Sequence, residues 1–339
     1  MCRRRISVGG LPMFKQEMDE GELRAFVRAI SAPIENARFL CILFMSYVHL
    51  HFAAQPAGPF AQSISTIIVD VLGRSSVPLL SVISGVLMVP FFGRRRWGEA
   101  VRSRALTLLV PMVIWNAIQL LLFGGRDGSL VNQLFALTGS PALLPMAFLR
   151  DLFVVAALTP VLVRLVRAAP LPVAAVVFAY YSLNPQSPII LRPQIPFFYM
   201  IGIYIALWKD VHVRLPAIPV LGLFALVLAL QLMELGEGEL YDLWVLRPVT
   251  AAAFWVFART LRGVPRFRRA IFAFFLSHVI LFHIVGALLP ALWIEEAWLP
   301  LWMMTPPLVF AAVVAAMRLW DRVEPHAPGP IRRLVNLAT

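Results

Sequence analysis

In the stretch ENARFLCILFMSYVHLHF, Glu35 to Phe52, an arginine and a histidine stand eleven residues apart in an otherwise apolar run, Arg38 and His49. A guanidinium offers a planar fork of donors to an anion. A neutral imidazole can take a proton from a weak nucleophile near neutral pH, or accept a group covalently. On a helix, eleven residues rise about 16 Å, and eleven 100° steps return almost to the starting face. Arg38, Ile42, Met45 and His49 would then share one stripe, with His51 about 200° away from His49. The plainer alternative is an arginine snorkelling to headgroups and a histidine bonded to a neighbouring helix.

Other polar residues sit in equally apolar runs. In VDVLGRSSVPLLSVISGVLM, Asp70 and Arg74 are four apart and share a helix face, where an ion pair is the simplest outcome. Ser84 and Gly85 in the same run permit close helix approach or a local break. The run RSRALTLLVPMVIW opens with Arg102 and Arg104 and is kinked by Pro111. In MAFLRDLFVV the neighbours Arg150 and Asp151 are costly in a membrane unless they face the protein interior. FAFFLSHVILFHIVG contributes His278 and His283, which do not share a face. No metal-ligand spacing, esterase glycine elbow or phosphate-cradling loop accompanies them, so a bound metal is not expected. Cys2 and Cys41 offer no disulfide framework.

The elements that must position these residues are membrane helices. The chain of 339 residues is 60% hydrophobic with a mean hydropathy of +0.79, beyond what a soluble domain of this size reaches. Its solid apolar runs of about 15 to 25 residues suit a bilayer core of roughly 30 Å and lack the alternation of barrel strands. The expected fold is all-α, a polytopic transmembrane helical bundle of about ten spans, at 34–54, 63–92, 104–123, 145–167, 170–184, 195–209, 215–233, 241–261, 268–291 and 297–318. The fifth and sixth are short and separated by NPQSPIILRPQIP, so they are tilted or re-entrant. A basic N-terminal tail, 1–33, precedes the membrane domain, 34–318, and a second tail, 319–339, follows it; residues before Ile30 could form a short surface helix.

The net charge of +12 lies in short loops between apolar runs, where it sets topology and meets lipid headgroups, so nucleic acid is not an expected partner. Basic residues gather in the N-terminus, the even-numbered loops and the C-terminus, while the odd-numbered loops carry Glu234, Glu237, Glu239, Asp242, Glu295 and Glu296. Both termini are therefore expected in the cytoplasm. Arg38 then lies near the inner surface and His49 in the outer half, where Asp70, Arg74, Arg150, Asp151 and His278 also converge.

With these residues placed, the chain resembles the integral-membrane acyltransferase family 3, whose members O-acetylate bacterial surface and exported polysaccharides. Arg38 and His49 match the family's opening arginine–histidine motif. VPLLSVISGVLM resembles its serine-glycine motif at Ser84 and Gly85, RSRALTLLVPMVIW its basic entry to the third span, and FLRDLFVVAALTPVL its fourth-span signature. FFLSHVI is similar to its late motif at His278, with Phe275 where the family has tyrosine. Glu35-Asn36-Ala37 precedes the arginine where the family has an acid, glycine and leucine, and Thr107 replaces the second of its paired arginines. The likeness covers about residues 34 to 318.

The resemblance implies acetyl-CoA as acyl donor, held at its charged end by Arg38, Arg102 and Arg104. It implies a polysaccharide or lipid-linked glycan as acceptor, oriented by Ser84, Asp70, Arg74, Arg150, Asp151 and His278, with His49 catalytic as general base or acyl carrier. It also implies a multi-pass protein of the bacterial inner membrane. A secondary transporter or flippase for a glycan or small anionic solute would use intramembrane charge too. The halves show no internal repeat, however, and the polar residues avoid the midplane.

Overall fold

The computed structural model describes residues 20–51, 56, 58–93, 95–125, 128–183, 190–208, 215–233, 235, 238, 241–261, 267–288 and 298–338, and among them only helices and connecting turns occur. In chain order these are α1 (Glu20–His51), α2 (Pro59–Gly93), α3 (Trp97–Phe123), α4 (Leu130–Phe135), α5 (Met146–Ala157), α6 (Thr159–Ala168), α7 (Pro170–Leu183) and α8 (Gln194–Leu207). There follow α9 (Ala217–Leu232), α10 (a π turn Asp242–Leu246 continued by Arg247–Thr260), α11 (Arg268–Leu288), α12 (Leu299–Val323) and α13 (Gly329–Ala338).

Four helices, α2, α3, α11 and α12, are long and apolar enough to cross a membrane, and a fifth span forms if α5 and α6, bent by 56°, are counted together. The helices α7, α8 and α9 are apolar but shorter. Each of the ten runs read from the sequence lies on a helix, with three differences. The fourth run is not straight: it breaks at Leu158, and Pro160 opens the next helix, where its missing N–H costs nothing. Among the described residues no separate surface helix precedes the first run, because α1 continues unbroken from Glu20 through Pro33, and residues 1–19 lie outside the described residues. The C-terminal tail is not a free end: α13 turns back onto the bundle, where the Trp115 indole donates to the Ala338 carbonyl at 2.8 Å.

Prolines set the local irregularities. Pro111 and Pro248 have no N–H for the carbonyls of Thr107 and Trp244, and π turns fall on those carbonyls, at Ala105–Leu109 and Asp242–Leu246. In α2 a third π turn, Ile67–Leu72, runs into a 3₁₀ turn at Gly73–Ser75, on the carbonyl of Arg74 that Pro78 leaves unserved.

The core sits where α1, α2, α8, α10 and α11 meet. The crossing of α2 and α8 depends on two glycines. A Cβ on Gly85 would run into the Tyr199 carbonyl, and one on Gly202 into the Val82 carbonyl, so only hydrogen allows this approach. Aromatic packing adds to it: Trp302, fully buried, lies 5.1 Å from the Tyr47 ring, whose hydroxyl donates to the Met303 carbonyl at 2.5 Å.

Candidate active site

The stripe on α1 is the axis of the site. At its first end Arg38 lines a cavity of about 1000 Å³ that also takes in Arg95, Arg104, Arg268 and Arg269, with Glu35 as the one carboxylate among its lining residues. Glu35, nearly buried, forms an ion pair with Arg268. Its neighbour Asn36 donates to the carbonyls of Ala258 and Leu261 at 2.8 and 3.0 Å, fastening α1 to the end of α10. Arg95 and Arg104 both rest on the Phe91 ring, 4.7 and 4.0 Å from its centroid, which holds two like charges side by side at the cavity wall. From α13, Asn336 and Leu337 join the lining, and Asn336 is bonded to Arg269.

Arg102 does not belong to this group. It is exposed and outside the cavity lining. Two residues on a helix lie about 200° apart, so Arg102 and Arg104 cannot both face the cavity. Arg95, Arg268 and Arg269 supply the charge instead.

The cavity runs along the stripe past Ile42 and Ser84, whose hydroxyl is turned back to the Leu80 carbonyl at 2.7 Å. It ends at Phe148 and Phe275, which meet edge to face with centroids 6.2 Å apart. Beyond lie the histidines. The His49 and His278 rings are 5.1 Å apart between centroids, although their residues are separated by most of the chain. His278 is fully buried, and its Nδ1 is 2.8 Å from the Phe275 carbonyl. A carbonyl can only accept, so Nδ1 carries the proton and Nε2 the lone pair; that Nε2 has no hydrogen-bond partner among the described residues. His283 is apart, its ring beside Phe123. The side chain of His51 lies outside the described residues.

Arg150 and Asp151 face the interior, as the cost of burying them demanded. The Asp151 carboxylate, 0% exposed, takes Arg150 Nη2 at 2.8 Å and the backbone N–H groups of Leu191 and Arg192 at 3.3 and 3.0 Å. This clasp places Arg192, whose Nη2 donates to the Leu144 carbonyl at 3.2 Å. The sequence reading missed Arg192. The signal available was an arginine beside a proline in the apolar stretch IILRPQIP, since ionisable residues at membrane depth are functional by default.

Asp70 and Arg74 are paired at 3.7 Å as their spacing required, and both are about two-fifths exposed. They line a second pocket, of about 360 Å³, with Gln231, Tyr241 and Asp242 and without either histidine, so they do not orient His49.

A cation-ringed cavity along one helix stripe, with an imidazole pair beyond its end, suits group transfer from an anionic carrier, and the comparison with known proteins decides the class. Residues 32–320 match the family described as acyltransferase domain. The chain belongs to that family. The Succinoglycan biosynthesis protein ExoH of Rhizobium meliloti (strain 1021) is 30% identical over 205 residues, 52% of this chain and 54% of the relative. The match therefore spans about half the length of that relative. No solved structure matches the chain. The acyltransferase region takes in the whole stripe of α1, Arg95 in the turn between α2 and α3, the cavity-lining arginines of α3 and α11, and both histidines; α13 lies beyond it.

Proposed function

We propose that this acyltransferase takes an acyl group, acetyl by expectation, from acyl-CoA at the arginine end and esterifies a hydroxyl of an extracytoplasmic polysaccharide or its lipid-linked precursor. The cavity carries the reading. Five arginines against one glutamate suit the phosphates at one end of CoA, and guanidinium forks hold such groups well. The narrow apolar run from Ile42 to Phe275 suits the uncharged arm that ends in the thioester. In the same reading the ten runs are ten spans of a bacterial inner membrane protein. Both termini then lie in the cytoplasm, where CoA is made, and the histidines in the outer half.

The chemistry falls to His49. As the acceptor oxygen attacks the thioester carbonyl carbon, the imidazole takes the hydroxyl proton. The C–S bond then breaks, and the departing sulfur recovers that proton from the imidazolium, leaving CoA thiol and an O-acyl ester. His278, with its proton held on Nδ1, presents a lone pair that keeps His49 or the acceptor hydroxyl in register. Arg192 is placed to oppose charge developing on the carbonyl oxygen. The relative concerned with succinoglycan supports a polysaccharide acceptor. Proton NMR of polysaccharide from a wild-type strain and a deletion strain tests the reading: the wild type should carry O-acyl signals that the deletion lacks, and identical spectra would reject it.

A further inference from the structure

The second pocket is not absorbed by the chemistry above. Its walls come from two of the irregular turns: Asp70 lies in the π turn of α2 and Asp242 in that of α10. Such turns are rare and recur at functional sites, because the extra residue swings a side chain out of helical register. Arg247 binds Asp242 through both Nε and Nη2, yet both donors converge on Oδ2. Oδ1 is left without a partner among the described residues, and so is Gln231 Oε1 on the facing helix. Two shielded acceptors in one small pocket call for hydroxyl or amide donors. Tyr241, on the same wall, is held by its hydroxyl to the Val227 carbonyl at 3.2 Å.

Charge narrows the ligand. Asp70 is paired with Arg74, and Asp242 with Arg247. The pocket is compensated within itself, unlike the cavity of five arginines. A phosphate or nucleotide gains nothing there, whereas a neutral polyol can donate to the carboxylates and the amide oxygen and accept from guanidinium. The volume, about 360 Å³, suits one or two sugar rings. Position agrees: Gly73, in the turn between Asp70 and Arg74, abuts Val48 beside His49.

We infer that the pocket between the π turns of α2 and α10 is a saccharide subsite, which holds neutral sugar units of the acceptor while a neighbouring hydroxyl reaches His49. The inference rests on the acyltransferase reading and adds the place where that acceptor is gripped. Asp242 Oδ1 and Gln231 Oε1 accept from sugar hydroxyls after small side-chain rotations, and Tyr241 supplies an apolar wall.

The test uses the full chain in membrane vesicles, labelled acetyl-CoA, and the producing cells' own polysaccharide after mild alkaline removal of its esters. Asp242→Asn should raise the apparent KM for polysaccharide about tenfold with kcat within about twofold, and Gln231→Leu about threefold, as loss of one hydrogen bond each implies. Both variants are compared at equal amounts of monodisperse protein, and Gln231→Leu, which leaves the Arg247 pair intact, guards against misfolding of the other. An unchanged polysaccharide KM in both, with transfer otherwise as in wild type, overturns the subsite. Absence of transfer by the wild type overturns the acyltransferase reading beneath it.

Discussion

Two side chains can be questioned singly. Arg38 makes no hydrogen bond to another described residue and lines the cavity, so its donors serve whatever enters. Arg38→Ala should weaken acyl-CoA binding by about 1.5–3 kcal/mol, the worth of a hydrogen bond to a charged group. Arg38→Lys should recover only part, because an ammonium cannot fork across a diphosphate. Isothermal titration in detergent measures this, and unchanged affinity in Arg38→Ala would reduce the residue to an anchor. His278 has two nitrogens with different duties: Nδ1 serves the backbone and Nε2 is unclaimed. His278→Asn can restore donation to the backbone and loses the lone pair at Nε2, while His278→Gln places an amide near it. Transfer should fall about tenfold in the Asn variant, short of the 10²–10⁴-fold of a lost general base because His278 positions and does not itself take the proton, and less in the Gln variant. Equal activity in Asn and wild type would make the histidine purely structural. Arg38 and His49 were legible in sequence because both stand on one helix, where spacing alone settles the face. The cation-rich mouth was legible only in part: Arg268 and Arg269 are brought to it by packing across more than two hundred residues of chain, and local spacing carries no such information.

The helices were legible as apolar runs, since a bilayer demands continuous helix, and four or five of them are long and apolar enough to cross one. The break at Leu158 and the return of α13 were not legible, because both depend on what the neighbouring helices leave uncovered. Gly85 shows how an element is fixed by a single absence. Its α-carbon sits against the Tyr199 carbonyl and Gly202 on α8, and backbone on backbone cannot yield as a side-chain tip can. Gly85→Ala should lower stability by about 1–3 kcal/mol, the usual cost of overpacking. The drop should appear as an earlier melting transition in fluorescence-detected size exclusion, and a Gly85→Ala protein that melts with the wild type would refute the tight crossing. The Phe148–Phe275 contact is the other element-level feature with consequences. The pair lines the cavity with Phe275 one helical turn before His278, and in the proposed reading a donor arm would have to part these rings to deliver its thioester. From sequence, Phe275 stood out only as a departure from the late motif the chain resembles.

At the scale of the whole molecule the account needs one end of the bundle to face the donor and the other the acceptor. Reporter fusions after residues 58, 127, 237 and 295 should read extracytoplasmic, and those after 95, 168, 212 and 264 cytoplasmic. A cytoplasmic result at 127 or 237 would break the ten-span topology. Charge alternation is what carries this expectation, since loop arginines act through the membrane potential and headgroups and not through the fold. Which residues meet inside the bundle was readable only in outline: orientation brought His278 toward His49, as the structure has it, whereas Arg192 and the pair Arg268 and Arg269 were placed by packing alone. The central claim is that the arginine-ringed cavity delivers an acyl thioester to this histidine pair. The direct measurement is CoA release from labelled acetyl-CoA by purified protein in lipid, in wild type and in His49→Ala. The account predicts saturable release by the wild type and a loss of 10²–10⁴-fold in the variant, the range for removal of a general base, with acetyl-CoA still bound. CoA release by His49→Ala at the wild-type rate, or none from a wild-type protein that binds acetyl-CoA in the presence of its acceptor, would contradict it.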